Sequence, residues 1–303
     1  MPSFDFVTAD VFTSQQFGGN QLAVFPNAKD LSPELMPRIA REFNFSETTF
    51  VLPPTDPRNT RRVRIFTPGG ELPFAGHPTV GTAFVLAAIG QIKLTGAETR
   101  IVFEEGVGPV PVSIRARNGK PDFAQLTVAQ LPEFGPPPPG AGDLARILGL
   151  NPGDVLTGDV GPEAVSCGVP FLFVPVRDRA ALARVRVRLD DFEQVLGGYW
   201  TAKVFVFCKD PELPTSDYRA RMFAPTIGVP EDPATGGACV GFGGYLARRD
   251  KRTDGTLRWI VEQGFEMGRP SLLEVEVDKR GGAITAVRVG GSSVLVMTGE
   301  FHV

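Results

Sequence analysis

The sequence predicts an α+β fold assembled from two similar halves. Short segments rich in Val, Phe, Ile and Thr follow one another in hairpin-like succession with five helical patterns among them, which argues against a doubly wound parallel sheet. The 35 glycines and 28 prolines demand many turns and exclude a helical bundle. A block of about twenty residues also recurs in register in the second half. Arg64, Phe66 and Pro68 return as Arg221, Phe223 and Pro225, an offset of 157 (221 − 64), and Thr79 and Gly81 return as Thr235 and Gly237. Two units are too few for a solenoid, so the repeat reads as two related domains, each with a strand, a Gly/Pro loop and a helix.

Taken in order, strands are predicted at 4–11, 21–25, 48–52 and 62–66, then at 100–103, 110–115 and 123–128, each bounded by Gly, Pro or Asp. Helical patterns cover 32–43, the run after His77, 142–148, 189–195 and the run after Asp232. The Pro-rich stretch 132–142 reads as a stiff connector near a domain boundary. The helices after His77 and Asp232 are unusual. Val80, Ala83, Phe84, Ala87 and Ala88 leave the first without a charged face, and Cys239, Val240, Phe242 and Tyr245 do the same for the second. A helix apolar on all sides is enclosed by other structure. The second also carries five glycines between Gly236 and Gly244, each costing about 1 kcal/mol relative to Ala, so close packing against neighbouring backbone is expected. Each helix is therefore read as the core of a curled, mostly antiparallel sheet.

Composition narrows the function. A net charge of −3 without a basic cluster argues against nucleic acid as a partner. The longest apolar stretch, 83–89, falls far short of the roughly 20 residues that span a bilayer, so no membrane role is expected, and no secretory signal is read at the N-terminus. Cys167, Cys208 and Cys239 are scattered, without metal-ligand spacing, which fits reduced, buried thiols and a cytoplasmic location and predicts no metal site.

The candidate chemistry gathers where the two apolar helices begin, expected near Pro78 and Ala234. A helix start offers unpaired N–H groups and a partial positive charge of about half a unit, which suits a carboxylate or phosphate. His77 and Asp232 precede these starts at equivalent places in the repeat. Asp232 is equally read as a helix cap, and His77 as a satisfied core residue. Glu47, in the segment NFSETTFV between a helix and a strand, is flanked by Phe45 and Phe50, whose apolar surroundings would favour its protonated form; it is also read simply as a polar loop residue. Together Glu47, His77 and Asp232 could supply an acid/base set for a small molecule held across two facing helix starts.

These same blocks, NFSETTFV, RIFTPGGELPFAGHPTVGTA, EDPATGGA, EQGFEMGRPS and DVFTSQQFGGNQLAVF, resemble the PhzF family of phenazine-biosynthesis-like isomerases over nearly the whole chain. The resemblance implies the diaminopimelate epimerase-like fold, with two pseudo-symmetric lobes, expected at 1–122 plus a returning strand at 292–303, and at 123–291. It implies a homodimer and a proton shift on trans-2,3-dihydro-3-hydroxyanthranilate or a similar small anionic metabolite, without a cofactor. It places the catalytic glutamate on Glu47, with His77 and Asp232 beside it. Substrate-binding positions are then expected at Ser46, Gly76, Pro78, Thr79, Thr235, Gly236 and Gly237, largely through backbone amides. Related epimerases and racemases use two cysteines at the helix starts, where this chain has Ala75, Gly76 and Pro233 and holds Cys239 well inside the second helix. Gly237 stands where the family often has Ser. The reading is a cofactor-independent PhzF-type isomerase; the alternatives are a non-catalytic binding protein for an anionic metabolite on the same scaffold, or an amino-acid epimerase or racemase.

Overall fold

The computed structural model describes residues 2–303, which divide into two compact units: 2–129 with 289–303, and 130–288. The first unit runs β1 (Ser3–Val11), β2 (Asn20–Phe25), α1 (Met36–Phe43), β3 (Glu47–Leu52), β4 (Arg61–Thr67), β5 (Gly70–Leu72), α2 (Gly76–Ala88), β6 (Glu98–Glu105), β7 (Gly108–Arg117) and β8 (Lys120–Thr127). The chain's last strand, Ser293–His302, returns to pair antiparallel with β1. The second unit runs β9 (Glu133–Phe134), α3 (Ala141–Ile147), β10 (Glu163–Ser166), β11 (Pro170–Pro175), α4 (Arg179–Arg184), α5 (Leu189–Leu196), β12 (Val204–Cys208), β13 (Tyr218–Ala224), β14 (Val229–Asp232), α6 (Gly236–Arg249), β15 (Gly255–Gln263), β16 (Ser271–Arg280) and β17 (Ala283–Gly291), whose last three residues belong to the first unit.

The repeat in sequence is a repeat in topology. In the first unit β2–β3 is parallel, β3–β4 and β4–β5 antiparallel, β4–β6 parallel and β6–β7 antiparallel. The second unit makes the same succession with β11–β12, β12–β13, β13–β14, β13–β15 and β15–β16. The repeated residues perform the same task in both. Arg64 on β4 pairs with Glu71 on β5 and lies 5.0 Å over Phe66; Arg221 on β13 pairs with Glu231 on β14 and lies 4.9 Å over Phe223.

Each unit wraps its mostly antiparallel sheet around one apolar helix. Every residue of α2 from Gly76 to Ala87 is buried, as are all of α6 from Gly236 to Ala247 except Gly237. The helical glycines answer to close packing. A Cβ on Gly81 would lie 2.5 Å from Val11 Cγ2, and one on Gly244 would lie 2.6 Å from the Pro132 ring. Phe242 and Tyr245 pack with Phe173, Phe205 and Phe207 into an aromatic core around α6. No helix among the described residues is long and apolar enough to cross a membrane.

The helix expected over 32–43 begins only at Met36. Pro33 disfavours helical backbone at Ser32, and the chain turns there before the amphipathic face of Met36, Ile39 and Ala40 docks on the first unit's core. Asn44, at φ 52°, closes the helix in the left-handed conformation and delivers the chain to Glu47.

Candidate active site

In the first unit the site is built where α2 meets β2 and β3. α2 begins at Gly76, with extended Ala75 as its N-cap, two residues earlier than Pro78 suggests. Proline is tolerated in a first helical turn, where its missing N–H costs no hydrogen bond, so the turn forms around it. His77 therefore lies inside the first turn, buried to 4% exposure, rather than on a loop ahead of the helix. Glu47 is the first residue of β3, in parallel register with Leu22 of β2, and its side chain is 15% exposed. Nε2 of His77 lies 3.2 Å from Oε2 of Glu47. Burial lowers the imidazole's pKa from 6.5 to about 3, against the smaller opposing effect of a hydrogen bond to the backbone of Gln21. The ring is neutral at pH 7, and since Nε2 faces Glu47, the Gln21 carbonyl takes the hydrogen of Nδ1. Ser46 is half-buried in the turn before β3, while Gly76 and Pro78 are buried in the first turn of α2.

Beneath that turn is a carboxyl that sequence reasoning missed. Strand alternation in β6 turns Thr99, Ile101, Phe103 and Glu105 inward. Oε1 of Glu105 lies 2.6 Å from Thr79 Oγ1, and the same hydroxyl lies 2.8 Å from the Ala75 carbonyl. Burial raises the pKa of Glu105 to about 8.

The second unit repeats this construction with different chemistry. Asp232 ends β14, and the N-cap of α6 is Thr235, so Asp232 is not the cap of that helix. Its Oδ2 instead accepts the Thr235 hydroxyl at 2.5 Å. Gln263, fully buried on β15, binds the start of α6 at three points. Its Nε2 donates to the Asp232 carbonyl and to Thr235 Oγ1, and its Oε1 accepts the Thr235 N–H at 3.0 Å. Ser271 donates to the Pro233 carbonyl, and Gly264, at φ 78°, makes room where a Cβ would strike the carbonyls of Arg269 and Pro233. Thr235 and Gly236 are buried, while Gly237 is partly open, with only the Phe171 ring within 4 Å of where its Cβ would lie. Gln263 and Glu105 had a sequence signal: Glu104-Glu105-Gly106 echoes Glu262-Gln263-Gly264.

Cys239 falls in the first turn of α6, not well inside it, since the helix begins at Gly236. All three thiols are buried, and burial pushes Cys167 up to about 12, Cys208 up to about 11, and Cys239 further still. None is an available thiolate.

A family model described as phenazine biosynthesis-like protein matches residues 9–299. The chain belongs to this family. It is 34% identical to the trans-2,3-dihydro-3-hydroxyanthranilate isomerase of Pseudomonas aeruginosa, covering 98% of this chain and 99% of that one. An uncharacterized isomerase of Mesorhizobium japonicum is 37% identical over the full length of both. Among solved structures, the PhzF-family phenazine biosynthesis protein of Bacillus anthracis superposes with a TM-score of 0.88 at 28% identity, over the whole of both chains. The α+β class is that of these PhzF relatives, and the chain is a PhzF-type isomerase.

Proposed function

We propose that this PhzF-family chain moves a proton between carbons of a small carboxylate-bearing metabolite, as a trans-2,3-dihydro-3-hydroxyanthranilate isomerase does, with Glu47 as its acid/base and without a cofactor. The observation that carries this is the contact between Glu47 and a neutral, buried His77. With Nδ1–H given to Gln21, the Nε2 lone pair faces the carboxyl, and the contact is satisfied when one proton lies between them. Without that proton, the Glu47 carboxylate beside neutral His77 takes one from a substrate carbon, the pair holds it, and it is returned to another carbon of the same molecule, so atoms and charge balance with no other reactant.

The substrate's carboxylate is assigned to N–H groups at a helix start, those of Gly76 and His77 in α2; Gly236 and Gly237 are the equivalent donors of α6, where Gln263 already takes the Thr235 N–H. Donors of this kind stabilise developing enolate-like charge by a few kcal/mol each. Asp232, fixed by Thr235, is assigned to orient a polar substituent of the substrate. The elevated thiols weigh against a two-cysteine epimerase. The expected assembly is a homodimer in the cytoplasm.

The test is solvent deuterium incorporation into trans-2,3-dihydro-3-hydroxyanthranilate. Wild-type protein should introduce label during isomerisation, and Glu47→Gln should slow it by at least about 100-fold. Equal incorporation by the two proteins removes Glu47 from the role.

A further inference from the structure

Thr79 has one hydroxyl hydrogen but two close oxygen neighbours, the Ala75 carbonyl at 2.8 Å and Glu105 Oε1 at 2.6 Å. A carbonyl only accepts; with the Thr79 hydroxyl hydrogen on Ala75, which also takes the Thr79 N–H, the second contact is a hydrogen bond only when Glu105 donates. The other oxygen of Glu105, Oε2, is buried without a partner. An orphaned oxygen is tolerable on a neutral acid and costly on a carboxylate.

The second unit points the same way. The register of β4 with β6 sets Arg62 beside Glu104, and that of β13 with β15 sets Arg219 beside Glu262. The next residues, Glu105 and Gln263, are therefore counterparts. Gln263 donates from Nε2 to Thr235 Oγ1, the counterpart of Thr79. The chain thus places an amide donor in one half where the other half has a carboxyl.

We propose that Glu105 is a positioning residue held as the neutral acid: it donates to Thr79, Thr79 donates to Ala75, and this chain fixes the start of α2 and keeps negative charge away from it, leaving the mouth open to an anionic ligand. The consequence for ligand binding rests on the function proposed above. The titratable groups on the elements packed around Glu105 are engaged elsewhere. His77 on α2 faces Glu47, Arg64 on β4 pairs with Glu71 on β5, and Arg61 reaches the carbonyls of Thr60 and Gln91. Arg62 is exposed, Glu104 accepts from Thr55, Asp56 and Asn59, and Arg115 on β7 lies over Phe123 on β8. Burial, rather than any neighbouring charge, raises its pKa to about 8.

Two measurements test this. Infrared titration of the ligand-free protein should show a protonated carboxyl C=O band at pH 7 that disappears as the pH passes about 8 and is missing in Glu105→Gln. Absence of a band removable by that substitution overturns the proposal, whatever the substrate. Calorimetric titration with anthranilate, used as an inert aromatic carboxylate, should show wild-type affinity falling about tenfold between about pH 7 and pH 9, as the neutral fraction falls. Glu105→Gln, which keeps a donor and cannot ionise, should restore a flat profile, and Glu105→Leu should bind weakly at every pH. An alkaline fall retained in the Gln variant, or a Leu variant that matches wild type, overturns the proposal. If anthranilate and trans-2,3-dihydro-3-hydroxyanthranilate both fail to bind at any pH, the proposed function falls, and the infrared titration alone still decides the state of Glu105.

Discussion

Two buried titratable residues of the first unit shift stability in opposite directions with pH. The pKa of His77 is depressed from 6.5 to about 3, so the folded protein binds fewer protons than the unfolded chain between those values. Stability is then lost as pH falls through that window, at no more than about 1.4 kcal/mol per pH unit. The urea midpoint of wild type should drop relative to His77→Gln between about pH 6.5 and pH 4, and parallel curves would show that burial does not hold the ring neutral. Glu105 is raised, so the folded state keeps a proton that the unfolded chain gives up near 4.5. Stability from this residue is present below 4.5 and is lost as pH rises toward about 8. Relative to wild type, Glu105→Gln should therefore gain stability across that range, measured by the same midpoints.

The two buried helices show what patterning conveys and what it leaves out. Their missing charged faces foretold enclosure, and the glycines foretold close approach; Gly81 against Val11 and Gly244 against Pro132 are such approaches. Alanine normally favours a helix over glycine by about 1 kcal/mol. Here Gly81→Ala and Gly244→Ala should instead destabilise by about 1–3 kcal/mol, because the methyl group meets atoms that cannot move aside cheaply. Gly237→Ser meets only ordinary contact with Phe171, so thermal unfolding should leave it near wild type. The helix starts were harder to place. Pro78 looks like a boundary, yet a first turn accepts proline, and the helix forms around it from Gly76. That two-residue difference moves His77 from a loop into a buried turn, where its pKa is set by burial rather than by solvent.

At the scale of the molecule, the repeat made the fold legible, because Arg64 with Phe66 and Arg221 with Phe223 recur at one spacing and do the same work. His77 and Asp232 are proposed from their places beside helix starts and Glu47 from its place between a helix and a strand, whereas the residues that brace those starts lie on distant strands and are joined to them only by folding. Glu105 is 26 residues from Thr79, and Gln263 is 28 from Thr235. Similar topology does not make the halves interchangeable. Gln263 fills three hydrogen-bonding roles at once, donating twice and accepting once, whereas a protonated glutamic acid has a single hydrogen to donate. Gln263→Glu therefore loses a buried bond and places a second carboxyl near Asp232. It should destabilise the protein by about 1–3 kcal/mol at pH 6 and by more at pH 8.5, as the new acid is driven to ionise in a buried site. Glu105→Gln should move stability in the other direction over the same interval. Urea denaturation of both variants at the two pH values checks this, and equal, pH-independent effects would mean that the duplicated strands carry no difference in charge.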